Sequence, residues 1–283
     1  MAKVYGEDFS PFLPKLIPAI IKCLQQDELL FNTGDDEEEE IEDMEDIAKN
    51  LQISTGITME KEIATIALGE LASATKNHFG EYVEEVVNVL LEQTDSFTIN
   101  SVCIGTLWTI VIALYENNVS LKKFPVGAVT ENYVPDELLN IIKAVREKSI
   151  EILQEEYEIT TIHSVLASLE GAFQKIGAIA IMDSGESSSL ETLCIELMKL
   201  LKGEHASQGD EEDKEEVEGA DESETELLIY DTCLDILVAL SLTLGSAFNR
   251  IFASFKSVVY KNLTSASNQK RSVIVGALAE ICV

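Results

Sequence analysis

Ile63-Ala64-Thr65-Ile66-Ala67-Leu68-Gly69-Glu70-Leu71, then His78-Phe79-Gly80, then Tyr82-Val83 running on to Leu90-Leu91, is the stretch whose reading decides the fold. Its apolar residues recur at intervals of three and four, which stacks them on one face of a 3.6-residue helix. Gly80 stops the first helix and a second starts directly after it, so the stretch reads as helix-turn-helix. Shifted by 169 residues, Cys233, Leu237 and Leu240, then Phe248, Phe252, Phe255 and Val259, repeat the arrangement. A single such hairpin is too small to bury its apolar face, so the units are expected to stack.

Working outward, the same periodicity predicts helices near Pro11–Gln26, Thr58–His78, Glu81–Gln93, Ile99–Glu116, Asp136–Glu156, Thr160–Met182, Ser188–Leu201, Glu226–Leu244, Ala247–Leu263 and Gln269–Val283. Pro135, Gly185 and Gly245 stand at helix boundaries, and Pro11, Pro14 and Pro18 predict a kinked first helix. First helices of the pairs start near 58, 97, 159, 226 and 265, giving steps of 39, 62, 67 and 39. Two steps fit the roughly 40–47-residue period of HEAT-type repeats. The longer two are that period plus insertions around Asn117–Pro135 and Gly203–Thr225. The expected fold is all-α: a single right-handed α-solenoid of HEAT repeats over 1–283, built from antiparallel helix pairs, with an acidic loop at 32–56 and an acidic disordered insertion at 203–225. The last pattern runs straight into Ile281-Cys282-Val283 without a polar cap, so the chain reads as a piece of a longer array.

The 283 residues carry a net charge of −31. Asp35 to Asp46 holds ten carboxylates and no Lys or Arg, and Asp210 to Glu226 holds eleven with only Lys214, so those two segments carry −10 each. The remaining 254 residues have a net charge of −11. Such a field repels nucleic-acid phosphates and anionic membrane surfaces and favours a basic partner. Asp35, Asp36, Glu37, Glu38, Glu39 and Glu40, with Asp210, Glu211, Glu212 and Asp213, are the densest part of it. Those loops read either as solvated disorder or as electrostatic lures.

Ser96 to Tyr115 holds no charged residue, which is long enough for a bilayer. Thr98, Asn100, Ser101, Thr106 and Thr109 lower its hydrophobicity, and Ser101, Gly105, Thr109 and Ala113 form a small-residue stripe. The better reading is a helix buried among helices, with Trp108 in the core. Cys23, Cys103, Cys194, Cys233 and Cys282 lie in apolar helical runs without paired spacing and read as small buried hydrophobes in a reducing compartment.

No phosphate-binding glycine loop, dinucleotide fingerprint, zinc-protease motif or calcium loop occurs. His78, His163 and His205 are scattered and none has a cysteine at metal-ligand spacing. An enzyme is not expected, nor a metal or cofactor. That leaves helix faces. Tyr82, Val83, Val86 and Leu90 form a buried stripe, which leaves Glu81, Glu85, Asn88 and Glu92 along one exposed line. Further on, Leu138, Ile142, Val145, Ile152 and Leu153 turn inward, while Asn140, Glu147, Glu151 and Glu155 point elsewhere. Stacked like charges cost about 0.2–0.5 kcal/mol per pair, a cost that a cationic ligand would relieve. These eight are the candidate binding residues.

The set Glu62, Ala67-Leu68-Gly69, Leu71, His78-Phe79, Tyr82 and Val86 resembles a HEAT repeat of the importin-beta (karyopherin-beta) nuclear transport receptors. The opening Phe9-Ser10-Pro11-Phe12-Leu13-Pro14-Lys15-Leu16-Ile17-Pro18 is similar to a second-helix pattern of that family. The two acidic insertions look like those of the large importins for ribosomal proteins and histones. The resemblance implies a receptor shuttling between cytoplasm and nucleus, of which this chain would be a central-to-C-terminal section. Second helices would line a concave face gripping lysine-rich localisation signals of cargo such as ribosomal proteins and histones. First helices would lie outside and touch phenylalanine-glycine repeats of the nuclear pore. The Ran GTPase would bind mostly repeats that precede this section. The residues also leave open a HEAT scaffold of the phosphatase regulatory type, or a histone chaperone.

Overall fold

The structure is a computed structural model, and it describes residues 1–26, 44–96, 98–119, 124–127, 129–184, 187–209, 224–264 and 267–282. The described helices are α1 (Ala2–Tyr5), α2 (Leu13–Leu24), α3 (Met44–Thr75), α4 (Val83–Gln93), α5 (Asn100–Asn118), α6 (Asp136–Glu155), α7 (Ile159–Ile176), α8 (Ser188–Lys202), α9 (Glu224–Leu244), α10 (Phe248–Lys261) and α11 (Asn268–Ile281). Short 3-10 turns link several of them, and no strand occurs among the described residues. The chain divides into two compact units, Met1–Ile110 and Val111–Val283.

In the first unit α2 packs against α3 and α4. Its buried residues Leu13, Ile17, Ile21 and Leu24 are spaced four, four and three, the stripe that a helix on a helix requires. Pro14 sits in the first turn, where a missing N–H costs nothing, and Pro11 falls in the preceding 3-10 turn, so the helix begins at Leu13. Phe79 in the Lys76–Tyr82 turn is fully buried and joins Leu68, Leu71, Val86 and Leu90 in the core. Each such side chain contributes about 1.5–3 kcal/mol of apolar burial. At Gly69 the backbone of α3 comes close to α5: a Cβ there would lie 3.3 Å from the methyl carbons of both Thr106 and Thr109.

In the second unit every other helix touches. One row is α6, α8 and α10; the other is α7, α9 and α11. Contacts of α6 with α7, α8 with α9 and α9 with α10 join the rows. This is the double-layered stack expected of HEAT hairpins, and the second row consists of the expected first helices. Central α9 is apolar over most of its surface because α7, α8, α10 and α11 pack around it: Ile229, Cys233, Ile236, Leu237, Leu240 and Leu244 are all buried. The span Glu224–Thr264 has the length and composition to cross a membrane, but most of its apolar window is already covered inside the unit. The uncharged stretch of α5 up to Tyr115 is likewise buried, with Trp108 1% exposed.

Several expectations are corrected. The loop expected at 32–56 is helical from Met44, where α3 begins. Glu45 and Asp46 fall in its first turn, so the acidic run continues into the helix instead of ending before it. The insertion expected at 203–225 is folded at both edges: Ala206–Gln208 form a 3-10 turn and α9 already starts at Glu224. His205 anchors that turn. Its Nδ1 accepts the Ser207 N–H at 3.1 Å, which leaves Nε2 to donate to the Leu153 carbonyl at 2.9 Å. The helix expected to reach Met182 stops at Ile176, where Gly177 adopts φ 74°. Cys282 is exposed and Cys23 and Cys194 are half-buried; only Cys103 and Cys233 are buried hydrophobes.

Candidate functional site

The α4 face is built by a tight turn and a short helix. Glu81 lies in the 3-10 turn that ends at Tyr82, Glu84 and Glu85 occupy the first turn of α4, and Asn88 and Glu92 follow. Val83, Val86, Val87, Val89 and Leu90 take the inward positions, which forces the polar residues out. Glu81, Glu84, Glu85, Asn88 and Glu92 are all exposed. Glu84 and Glu85 stabilise the N-terminal end of the helix dipole, so the fold itself favours negative charge there.

Among the described residues no ion pair offsets this face. From Asn77 to Leu121 the chain has no Lys or Arg. Nearby Lys76 is engaged by Glu7 at 2.9 Å, which holds the Glu7 carboxyl below its usual range. Among the described residues no ion pair reaches Glu81, Glu84, Glu85 or Glu92. Glu84 was missed by counting four, three and four from Glu81; one step of three from Glu81 would have found it.

The α6 set behaves differently. Asn140, Glu147, Glu151 and Glu155 are exposed as the helix pattern required. Yet Lys143 lies 3.9 Å from Glu147, and Lys148 lies 2.8 Å from Glu151. These i,i+4 and i,i+3 pairs discharge much of the expected acidic line on its own helix. Beneath it, buried Arg146 donates to the Ile179 carbonyl at 3.3 Å and to Asp183 at 2.7 Å, tying α6 to the connection after α7.

A third acidic group, invisible in linear spacing, gathers Glu170 of α7, Asp231 and Asp235 of α9, and Glu280 of α11. Partial burial raises the Asp235 carboxyl, and Asp231, Glu170 and Glu280 add repulsion, so that it titrates at about 6. Finding this group requires knowing that α7, α9 and α11 lie side by side.

The candidates Asp35, Asp36, Glu37, Glu38, Glu39, Glu40, Asp210, Glu211, Glu212 and Asp213 lie outside the described residues. No cluster of three His, Cys, Asp or Glu suited to a metal occurs among the described residues. His163 is paired through Nδ1 with Thr232 at 2.8 Å, and His78 is exposed at the surface. Two clefts lie in the second unit: about 610 Å³ beside Lys202, Lys261 and Tyr230, and about 850 Å³ between α8 and α10 beside Leu190, Ile195 and Ile251.

No family model matches the chain. Probable importin subunit beta-4 of Schizosaccharomyces pombe is 29% identical over 309 aligned residues, covering 99% of this chain and 28% of that protein. In sequence the chain is similar to this importin-beta protein along nearly its whole length. Solved structures of the karyopherin Kap121p carry the same fold. One bound to Pho4p matches with TM-score 0.69 at 15% identity, covering 99% of this chain and 26% of the other. Another, bound to Nup53p, matches with TM-score 0.66 at 14% identity, covering 99% and 25%. The chain spans about a quarter of the length of the proteins it matches. Their shared architecture explains why α4 and α6 present periodic polar faces: they belong to the second helices of HEAT pairs.

Proposed function

We propose that this chain is a segment of a nuclear import receptor, and that its α4 face grips lysine-rich segments of cargo. The observation that carries the reading is the row Glu81, Glu84, Glu85 and Glu92, exposed and, among the described residues, without an ion pair, along a HEAT-type second helix and the turn that leads into it. Lysine ammonium groups are compact, strongly solvated charges on flexible stems, so they suit carboxylates presented at helical intervals. The net charge of −31 adds long-range steering toward basic cargo. Histones and ribosomal proteins are basic enough to fit. The receptor role also implies the nuclear pore repeats and the Ran GTPase as partners of the whole protein, and shuttling between cytoplasm and nucleus. Kap121p, which shares the fold, has been crystallised with Pho4p and Nup53p.

The test is a titration of a labelled lysine-rich peptide against the 283-residue chain, with a neutral scrambled peptide as reference. Converting Glu81, Glu84, Glu85 and Glu92 to Gln is expected to weaken the basic peptide at least tenfold and to flatten its salt dependence. The set E147Q, E151Q and E155Q is expected to cost less, because Lys143 and Lys148 already occupy two of those carboxylates. Equal binding of the two peptides would defeat the receptor reading of this surface. Protein binding that withstands high salt would point instead to a scaffold.

A further inference from the structure

The connection between α5 and α6 is far longer than a helical hairpin needs. It runs from the end of α5 at Asn118 to the start of α6 at Asp136, whereas about 2–8 residues suffice between packed helices. Its described part does not hang free. It reaches the ends of two later hairpins, and at each one it meets a glycine.

At the end of α7, the Phe124 ring lies against Gly177. A Cβ on Gly177 would sit 2.5 Å from the ring, and φ there is +74°. Two residues on, Val126 lies against Gly245 at the end of α9. A Cβ on Gly245 would sit 2.7 Å from the Val126 methyl, and φ there is +54°. The adjacent Gly127 N–H donates to the Thr243 carbonyl at 2.8 Å. Thr243 stands in the last turn of α9, where helical carbonyls lack an intrahelical partner. The returning limb is anchored as well. The Thr130 and Tyr115 hydroxyls are hydrogen-bonded at 3.0 Å, Thr130 and Val134 are buried, and Glu131 accepts the backbone N–H of Ser184.

We propose that Phe124–Gly127 is a strap that ties the C-terminal ends of α5, α7 and α9 together, so that three successive hairpins of the second unit move as one mechanical body. In an ordinary solenoid each repeat touches only its neighbours, and flexing is shared along the stack. The strap adds a contact between a hairpin and the next but one. Any bend that separated the end of α5 from the end of α9 would break the Gly127–Thr243 hydrogen bond and draw the half-buried Phe124 ring and the Val126 methyl off their glycines. A simple turn would close a much shorter loop, with a smaller entropy cost. The contacts at Gly177, Ser184, Thr243 and Gly245 are what offset the longer one.

Native-state hydrogen exchange of the full 283-residue chain in a series of low urea concentrations tests this. If the strap couples the hairpins, the Gly127 amide and the amides of residues 179–182 and 246–248 share one urea dependence, as members of one opening unit. A distinct, shallower dependence for residues 246–248 overturns the proposal. The double variant Phe124→Ala, Val126→Ala is expected to speed exchange at least tenfold at residues 246–248, far along the chain from the substitutions. Phe124→Leu, which keeps an apolar cover on Gly177, is expected to exchange as the unaltered protein does. Acceleration confined to residues 119–135 in the double variant would show the loop to be a passenger. Should the double variant lose its helical signal, the urea series on the unaltered protein decides alone.

Discussion

Arg146 ties α6 to the connection after α7 through one guanidinium. Its side chain is buried, and it serves the Ile179 carbonyl and the Asp183 carboxylate at once. Arg146→Ala leaves both acceptors without their donor, and is expected to lower stability by about 2–4 kcal/mol in urea unfolding. Arg146→Lys should recover little of this, because a single ammonium cannot reproduce the two-donor fork. Asp235 gives a pH effect of opposite character to the usual paired carboxylate. Its pKa is raised from 3.8 to about 6 in the folded state, so the folded chain holds that proton more tightly than the unfolded one. The associated stability is fully present below pH 3.8 and is lost as pH rises through about 6. Asp235→Asn is therefore expected to stabilise the protein at pH 7.5, by on the order of 1 kcal/mol after solvent screening, and to change little at pH 3.5. Unfolding midpoints at the two pH values check the sign. Neither residue's role was legible in the sequence: Arg146 is one more base on an amphipathic helix until Asp183 is seen beside it.

Helices α3 and α5 show how one residue sets an interhelical distance. Gly69→Val is expected to cost about 1–3 kcal/mol, since its branches must displace the Thr106 and Thr109 methyls. Gly171 in the interior of α7 is the contrasting case, with nothing within 4 Å of a built Cβ. Gly171→Ala should raise stability by about 0.5–1 kcal/mol, by cutting the freedom of the unfolded chain. Denaturant titration of the two variants checks both signs. At this scale the sequence read well where burial is one-sided. Spacing finds Val83, Val86 and Leu90 of α4 and Leu138, Ile142, Val145, Ile152 and Leu153 of α6, but not Val87, Val89, Arg146, Ser149 or Ile150, because neighbours on more than one side widen the buried stripe. The start of α3 was misplaced because a run of acids looks the same before a helix as within its first turn. The acidic line on α6 was overread, since periodicity locates Glu147 and Glu151 but does not say that Lys143 and Lys148 reach them.

For the whole chain the dominant fact is self-repulsion from a net charge of −31. Raising salt shortens the Debye length to about 8 Å at physiological strength, which relieves that repulsion while weakening attraction to a basic peptide. Thermal unfolding is thus expected to move upward by a few degrees between about 10 and 150 mM salt, while affinity for a lysine-rich peptide falls over the same interval. Calorimetry and fluorescence titration on one sample series would check the two opposed slopes. The sequence by itself determined the helical class, the paired repeat, the buried α5 and the acidic balance. All of these depend on residues close along the chain, where a 3.6-residue period and local charge density are decisive. Only the tertiary structure decided which carboxylates stand without a partner, that Glu170, Asp231, Asp235 and Glu280 form one group, and that Phe124 and Val126 rest on Gly177 and Gly245. Those facts depend on approach in space between segments tens of residues apart, and neither composition nor period records which side chains such an approach brings together.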